Sequence, residues 1–83
     1  MKNFCEKNGI NGIYVQAANQ VTFIYNDGKA ISIKVKEKLV MYLDSNRNIL
    51  YTWQKIREEN EKMLYDEAKR HIDALVAPNC LII

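Results

Sequence analysis

Ile49-Leu50-Tyr51-Thr52-Trp53-Gln54-Lys55-Ile56 opens a stretch that runs to Ala74-Leu75-Val76, 28 residues with neither glycine nor proline. Both ends are apolar, and the charged block Arg57-Glu58-Glu59-Asn60-Glu61-Lys62 lies between them. Glycine and proline are the strongest helix breakers, so nothing in the stretch forbids one long helix. Ile49, Trp53, Ile56, Met63, Leu64, Ala68, Ile72 and Leu75 follow helical spacing. Lys55 and Glu59, Arg57 and Glu61, Glu58 and Lys62, and Asp66 and Arg70 are i,i+4 opposite charges. Each such pair adds ~0.2–0.5 kcal/mol at most.

Upstream, Lys36-Glu37-Lys38-Leu39-Val40-Met41-Tyr42-Leu43 has the residues of a helix start, and Asp44-Ser45-Asn46 supplies N-cap residues for a second helix. Residues 36–77 therefore read as a helical half. As one helix, residues 46–76 would span ~46 Å at 1.5 Å per residue. A compact domain of this length has a radius of gyration of ~12 Å and a diameter near ~30 Å. The rod is then expected to project and pair with a second copy, to break near residues 58–62 and fold back, or to project onto another molecule. Heptad spacing puts Leu39, Asn46, Trp53, Asn60 and Glu67 at a, with Tyr42, Ile49, Ile56, Met63 and Arg70 at d. Glu67 and Arg70 spoil that seam, so ordinary core packing describes the stripe better than a coiled coil.

Residues 10–35 read as sheet. Ile13-Tyr14-Val15, Val21-Thr22-Phe23-Ile24-Tyr25 and Ala30-Ile31-Ser32-Ile33-Lys34-Val35 alternate with period two and are rich in β-branched and aromatic residues. A two-residue Asp27-Gly28 turn would split the apolar residues between the faces. A three-residue loop at 26–28 pairs Phe23 with Ile31 and Val21 with Ile33, and puts Gly28 in the left-handed position that closes such a loop. One-residue slips are costly when one face is buried, so the three-residue loop is expected. A loop at 17–19 likewise pairs Val15 with Val21 and Ile13 with Phe23, with Asn19 left-handed. The expected core face is Ile13, Val15, Val21, Phe23, Ile31, Ile33 and Val35, buried against Leu39, Leu43, Ile49, Trp53 and Ile56. Tyr14, Gln16, Thr22, Ile24, Ser32 and Lys34 share the other, mixed face.

Pro78-Asn79 is expected to end the helix. Cys80-Leu81-Ile82-Ile83 matches a prenylation pattern in form, but isoleucine is not a usual last residue. Within the apolar tail of residues 78–83, a short strand at residues 80–83 joining the sheet edge is the better reading. The expected fold is thus α+β and one domain, 1–83: a three-stranded antiparallel β-meander, then a long helical C-terminal half, broken or whole, then this apolar tail.

Composition bounds the function. With 48% hydrophobic and 27% charged residues the chain suits a folded domain. The net charge of +2 is too small to mark a polyanionic partner by itself. Two cysteines, Cys5 and Cys80, make no disulfide framework. Lys2 precedes any apolar run, and no stretch approaches the ~20 apolar residues of a membrane span, so a cytoplasmic protein without membrane association is expected.

No motif carries chemistry. There is no glycine-rich phosphate loop, paired-cysteine metal motif or serine elbow. The single histidine, His71, has Glu67 one turn back, but two ligands are too few for a metal. No enzyme activity, cofactor or metal is expected. The reading that remains is a small interaction protein that binds and occludes or bridges a larger protein. Tyr14, Trp53, Arg57, Tyr65 and Arg70 are its candidate contacts, because aromatic and arginine side chains dominate binding hot spots. A homodimer through the C-terminal helix is a second expected partnership. The alternative is a small nucleic-acid-binding transcriptional regulator using Lys29, Lys34, Lys36 and Lys38, a basic stripe on the third strand and its exit, which Glu37 interrupts. Residues 31–59, from that strand through Lys-Glu-Lys-Leu to Arg-Glu-Glu, resemble short transcription-related proteins of bacterial mobile elements, with no specific motif. The resemblance points to a phage or mobile-element origin; small size, composition and the absence of chemistry suggest a product that blocks a host system.

Overall fold

The computed structural model describes the backbone of residues 2–82 and the side chains of residues 4–74. Its elements are α1 (Lys2–Asn8), β1 (Ile10–Ala17), β2 (Gln20–Tyr25), β3 (Ala30–Lys34), β4 (Leu39–Leu43), β5 (Ile49–Trp53) and α2 (Glu59–Ile82). The strands form one antiparallel sheet in the order β1-β2-β3-β4-β5, so every neighbour in the sheet is also a neighbour in sequence.

The first three strands follow the expected register. Phe23 pairs with Ile31 and Val21 with Ile33. The loop at 26–28 is closed by Tyr25 N donating to Lys29 O at 2.8 Å and Gly28 N donating to Tyr25 O at 3.0 Å, with Gly28 at φ 96°. A Cβ at Gly28 would also lie 3.3 Å from Ser45 Cβ in the next hairpin turn on that end. Gly28→Ala should therefore cost about 1–2 kcal/mol, read as a shifted urea midpoint with unchanged slope. A change below about 0.3 kcal/mol would show that the turn relaxes freely.

Val15 pairs with Val21 and Ile13 with Phe23, but the turn between them differs from expectation. Ala17 pairs with Gln20 and the register shifts between Val15 and Ala17, so the extra residue is Gln16, inside the strand. Asn19 is not among the left-handed residues, which are Lys38 and Arg47 besides glycines. Its side chain instead joins two turns. Asn19 Oδ1 accepts from Lys36 N at 2.8 Å, Asn19 Nδ2 donates to Glu37 Oε1 at 2.5 Å, and its carbonyl accepts from Val35 N at 2.9 Å.

The helical reading of residues 36–56 is overturned. Leu39–Leu43 and Ile49–Trp53 are the fourth and fifth strands. Asp44 does cap, but it caps a hairpin turn: its carboxylate accepts from Asn46 N and Asn48 N, both at 2.9 Å. A side-chain oxygen that receives backbone N–H groups two to four residues ahead serves a turn as well as a helix start, so the residues alone did not decide between them. Arg47, at φ 71°, sends Nη1 to Gly28 O at 2.9 Å and locks this turn to the β2–β3 turn.

The only α2 turn expected to break is where α2 begins. Lys62 N donates to Glu58 O at 3.0 Å, the first helical bond, and the helix continues as 24 residues, about 36 Å long. The backbone stays helical past Pro78 to Ile82, so residues 80–82 are not a strand; Ile83 and the side chains beyond Ala74 lie outside the described residues. Leu64 and Ala68, one turn apart, are fully buried against Val21, Phe23, Ile31, Ile33 and Val40. The rod is thus shorter than expected and is partly sheltered by its own sheet, in a molecule with a radius of gyration of 12.8 Å. α1, a helix not expected from the sequence, covers the other flank: Phe4 packs on the same core with its ring 6.4 Å from Phe23. This cover, with Ile56 packed beside it as expected, buries the sheet face; Leu39, Leu43, Ile49 and Trp53 do not. It does not reach the end of β1, where Val15 remains exposed against expectation.

Candidate functional site

Helices cover one face of the sheet, which leaves open its other face and its two outer strands, β1 and β5, of which β5 is exposed along its whole length. On the open face, Tyr14, Ile24, Met41, Leu43 and Ile49 rim a groove of about 520 Å³. Its floor is polar and closed on itself. Gln20 Nε2 donates to Ser32 Oγ at 2.7 Å, the Ser32 and Thr22 hydroxyls share a bond of 3.0 Å, and Thr22 Oγ1 donates to Gln16 Oε1 at 2.5 Å. Each hydroxyl proton is spoken for, so Ser32 and Thr22 order the strands and have no base beside them to make either a nucleophile. Sequence reading identified the face as mixed; Met41, Leu43 and Ile49 were missed because they were assigned to helix.

At the edge, all five residues of β5 are exposed, among them Ile49, Leu50, Tyr51 and Trp53. Two of the rings are braced from behind. Tyr51 meets Tyr42 edge-on with ring centroids 6.0 Å apart. Trp53 lies under the Arg57 guanidinium, 3.9 Å from its ring centroid. Both braces end on Glu61, which is wholly buried. Its carboxylate accepts from Tyr42 Oη at 2.5 Å, from Arg57 Nη2 at 2.8 Å and from Arg57 N at 2.9 Å. Burial pushes the Glu61 carboxyl up, but the bonds from Tyr42 and Arg57 outweigh it and hold it below its ordinary value. The Tyr42 hydroxyl moves the other way, raised by burial and then by the Glu61 carboxylate it donates to.

Of the five contact candidates, the structure brings Trp53 to Arg57, and Arg57 with Tyr65 to one shallow cleft at the start of α2. Tyr14 stands on the opposite face of the sheet, in the groove rim. Arg70 lies along α2 and is bound to the buried carboxylate of Glu67, which also meets His71 Nε2 at 3.1 Å. Burial raises the Glu67 carboxyl, and Arg70 and His71 together bring it below its ordinary value. Glu67 is thus ion-paired to Arg70 with His71 beside it, and no group of three or more metal-ligating side chains occurs among the described residues.

The basic stripe is not assembled as expected. Lys29 precedes β3 and Lys34 ends it, so these lie at opposite ends of a strand. Lys36 and Lys38 sit in the β3–β4 turn, and Lys38 alone reaches the cleft, where Lys55, Arg57 and Lys62 meet Glu58 and Glu59. Lys62 is paired with Asp66 at 3.0 Å. Of the four expected helical ion pairs the described residues form Arg57–Glu61, from the loop into α2; Lys55 and Glu58 lie before α2, and inside it Arg70 turns to Glu67 while Asp66 is held by Lys62.

Comparison with protein families, with curated proteins and with solved structures finds no match for this chain. Among the described residues no helix is long and apolar enough to cross a membrane.

Proposed function

We propose that the chain is a non-catalytic protein-binding module that lays the open face of its sheet on a larger protein, occluding or bridging it. The observation that carries this is the apolar rim of Tyr14, Ile24, Met41, Leu43 and Ile49 on a face that no helix covers. A solvated sheet face normally alternates to polar residues, and apolar patches of this kind mark interaction sites. The self-contained floor supports recognition by surface contact, because its polar groups offer a ligand little that they do not already give one another. Inhibition of a host system by a phage or mobile element remains the biological setting proposed from the sequence.

The test uses the tagged full chain and extracts of the source cells. A target whose retention survives 0.5 M salt, falls at least tenfold with Met41→Glu and protects the methyl groups of Ile24 and Leu43 in NMR supports the reading. A partner retained equally by Met41→Glu would overturn it. Binding that collapses as salt rises would instead favour nucleic acid at the Lys38, Lys55, Arg57 and Lys62 cleft, through counterion release.

A further inference from the structure

We propose that β5 pairs antiparallel with β5 of a second copy of this chain, about a two-fold axis at Thr52, joining two sheets into one of ten strands. β5 is the last strand in the sheet order and has β4 as its only neighbour among the described residues. Its outer edge therefore carries unpaired backbone N–H and C=O groups, and the occupant such an edge fits is another strand. Natural edges are usually guarded by lysine, proline or a bulge along their length. Ile49-Leu50-Tyr51-Thr52-Trp53 holds no charge and no proline, and its register shift sits at its first residues, leaving Tyr51, Thr52 and Trp53 regular.

The choice of a second copy rests on self-complementarity. With Thr52 facing Thr52, each Tyr51 lies opposite the other copy's Trp53, so one chain supplies both halves of two aromatic cross-strand pairs. Leu50 and Ile49 then lie toward the bend at Gln54 and Lys55 that follows β5, and no like charges oppose one another. The rings are already held for this contact. Tyr42 braces Tyr51, Arg57 braces Trp53, and both braces are fixed by the buried Glu61. Ordering them costs little on association, which is where a small interface gains its affinity. Tyr51 is 59% and Trp53 39% exposed in the single chain, Ile49 60% and Leu50 51%. Those four side chains offer on the order of 500 Å² per copy, toward the lower end of stable interfaces. Pairing leaves Tyr14, Ile24 and Met41 open and sets two grooves on one continuous face, a geometry suited to bridging.

The test is sedimentation equilibrium from 1 μM to 1 mM, with Thr52→Lys and Thr52→Glu beside the natural chain. Thr52 is exposed, so both variants should keep the circular dichroism of the parent. The expected result is a monomer–dimer equilibrium that weakens at least 100-fold in each variant alone and returns when the two are mixed, because the axis puts opposite charges face to face. The amides of β5 should exchange more slowly at 1 mM than at 1 μM in the natural chain. A natural chain monomeric at 1 mM, variants that dimerise as the parent does, or a mixture that fails to associate would each overturn the pairing. Ile24→Glu, in the same groove but three strands away from β5, should dimerise normally and lose the groove's target, so failure here and failure of the groove reading are separable.

Discussion

Replacing Glu61 with alanine should destabilise the protein by about 3 kcal/mol, the loss expected when a buried charged hub is removed from two polar partners. Tyr42 Oη and the Arg57 backbone and guanidinium would all lose their acceptor. The bond to Arg57 N also satisfies the chain just before α2, where N–H groups have no helical partner, so the helix start is weakened too. For a domain of this size the melting midpoint should fall by roughly 15 °C. Glu61→Gln keeps an acceptor oxygen of the same shape and should cost about 1 kcal/mol. A Glu61→Ala loss below 1 kcal/mol in urea titration would show that water replaces the carboxylate.

The same residue sets the expected pH response. The Glu61 and Glu67 carboxyls sit below their ordinary value of 4.5 in the folded chain. A lowered folded value means that the stabilisation is complete above the unfolded value and is lost as pH falls through the folded one. Tyr42 has the opposite sign: raised above its ordinary 10.0, its contribution is complete below that value and is lost at higher pH. Stability should therefore be flat across neutral pH, decline below about pH 4.5 and decline again above about pH 10. Glu61→Gln should flatten the acid limb; an unchanged limb would assign it to Glu67 and to Asp44, which the Asn48 and Asn46 N–H groups also hold below its ordinary value.

The largest apolar effect is expected at Phe23, wholly buried where β2 meets both helices. Phe23→Ala should cost about 4 kcal/mol, from lost transfer energy and the cavity left beside Phe4. A domain this short has a total of roughly 4–12 kcal/mol, so the variant should lose between about a third and all of its stability. Val15→Ala, on the same face in the next strand but exposed, should cost less than about 1 kcal/mol. The contrast checks that the two helices, and not the alternation of the strands alone, decide where the core lies. Equal losses at Phe23 and Val15 in urea titration would contradict it.

Much of the sheet was legible. The alternation in residues 13–35 and the demand of Gly28 for a left-handed turn set the β2–β3 register to the residue. β4 and β5 were missed for a physical reason. Leu39–Leu43 and Ile49–Trp53 are apolar without strict alternation, and runs of that length serve a helix or a strand equally well. Their β-branched and aromatic content, with the Asp-Ser-Asn-Arg-Asn cluster between them, was the signal that pointed to a hairpin. α1, at seven residues, is too short to declare itself by periodicity. Among the candidate contacts, Trp53 and Arg57 were legible as residue types, but their shared dependence on Glu61 was not. Glu61 looked like one more solvated charge in an acidic block.

Local chemistry decided the period of the first strands, the turn at Gly28 and the apolar stripe of Leu64 and Ala68, because each depends on side chains a few positions apart. Burial is a property of what lies across the fold, and only the tertiary structure could assign it. It took Glu61 out of water by bringing Tyr42 over it, left Val15 bare at the end of β1, and turned Ile49–Trp53 from a supposed helix into an open edge. That edge exists because the sheet ends there, a fact that no window along the chain contains.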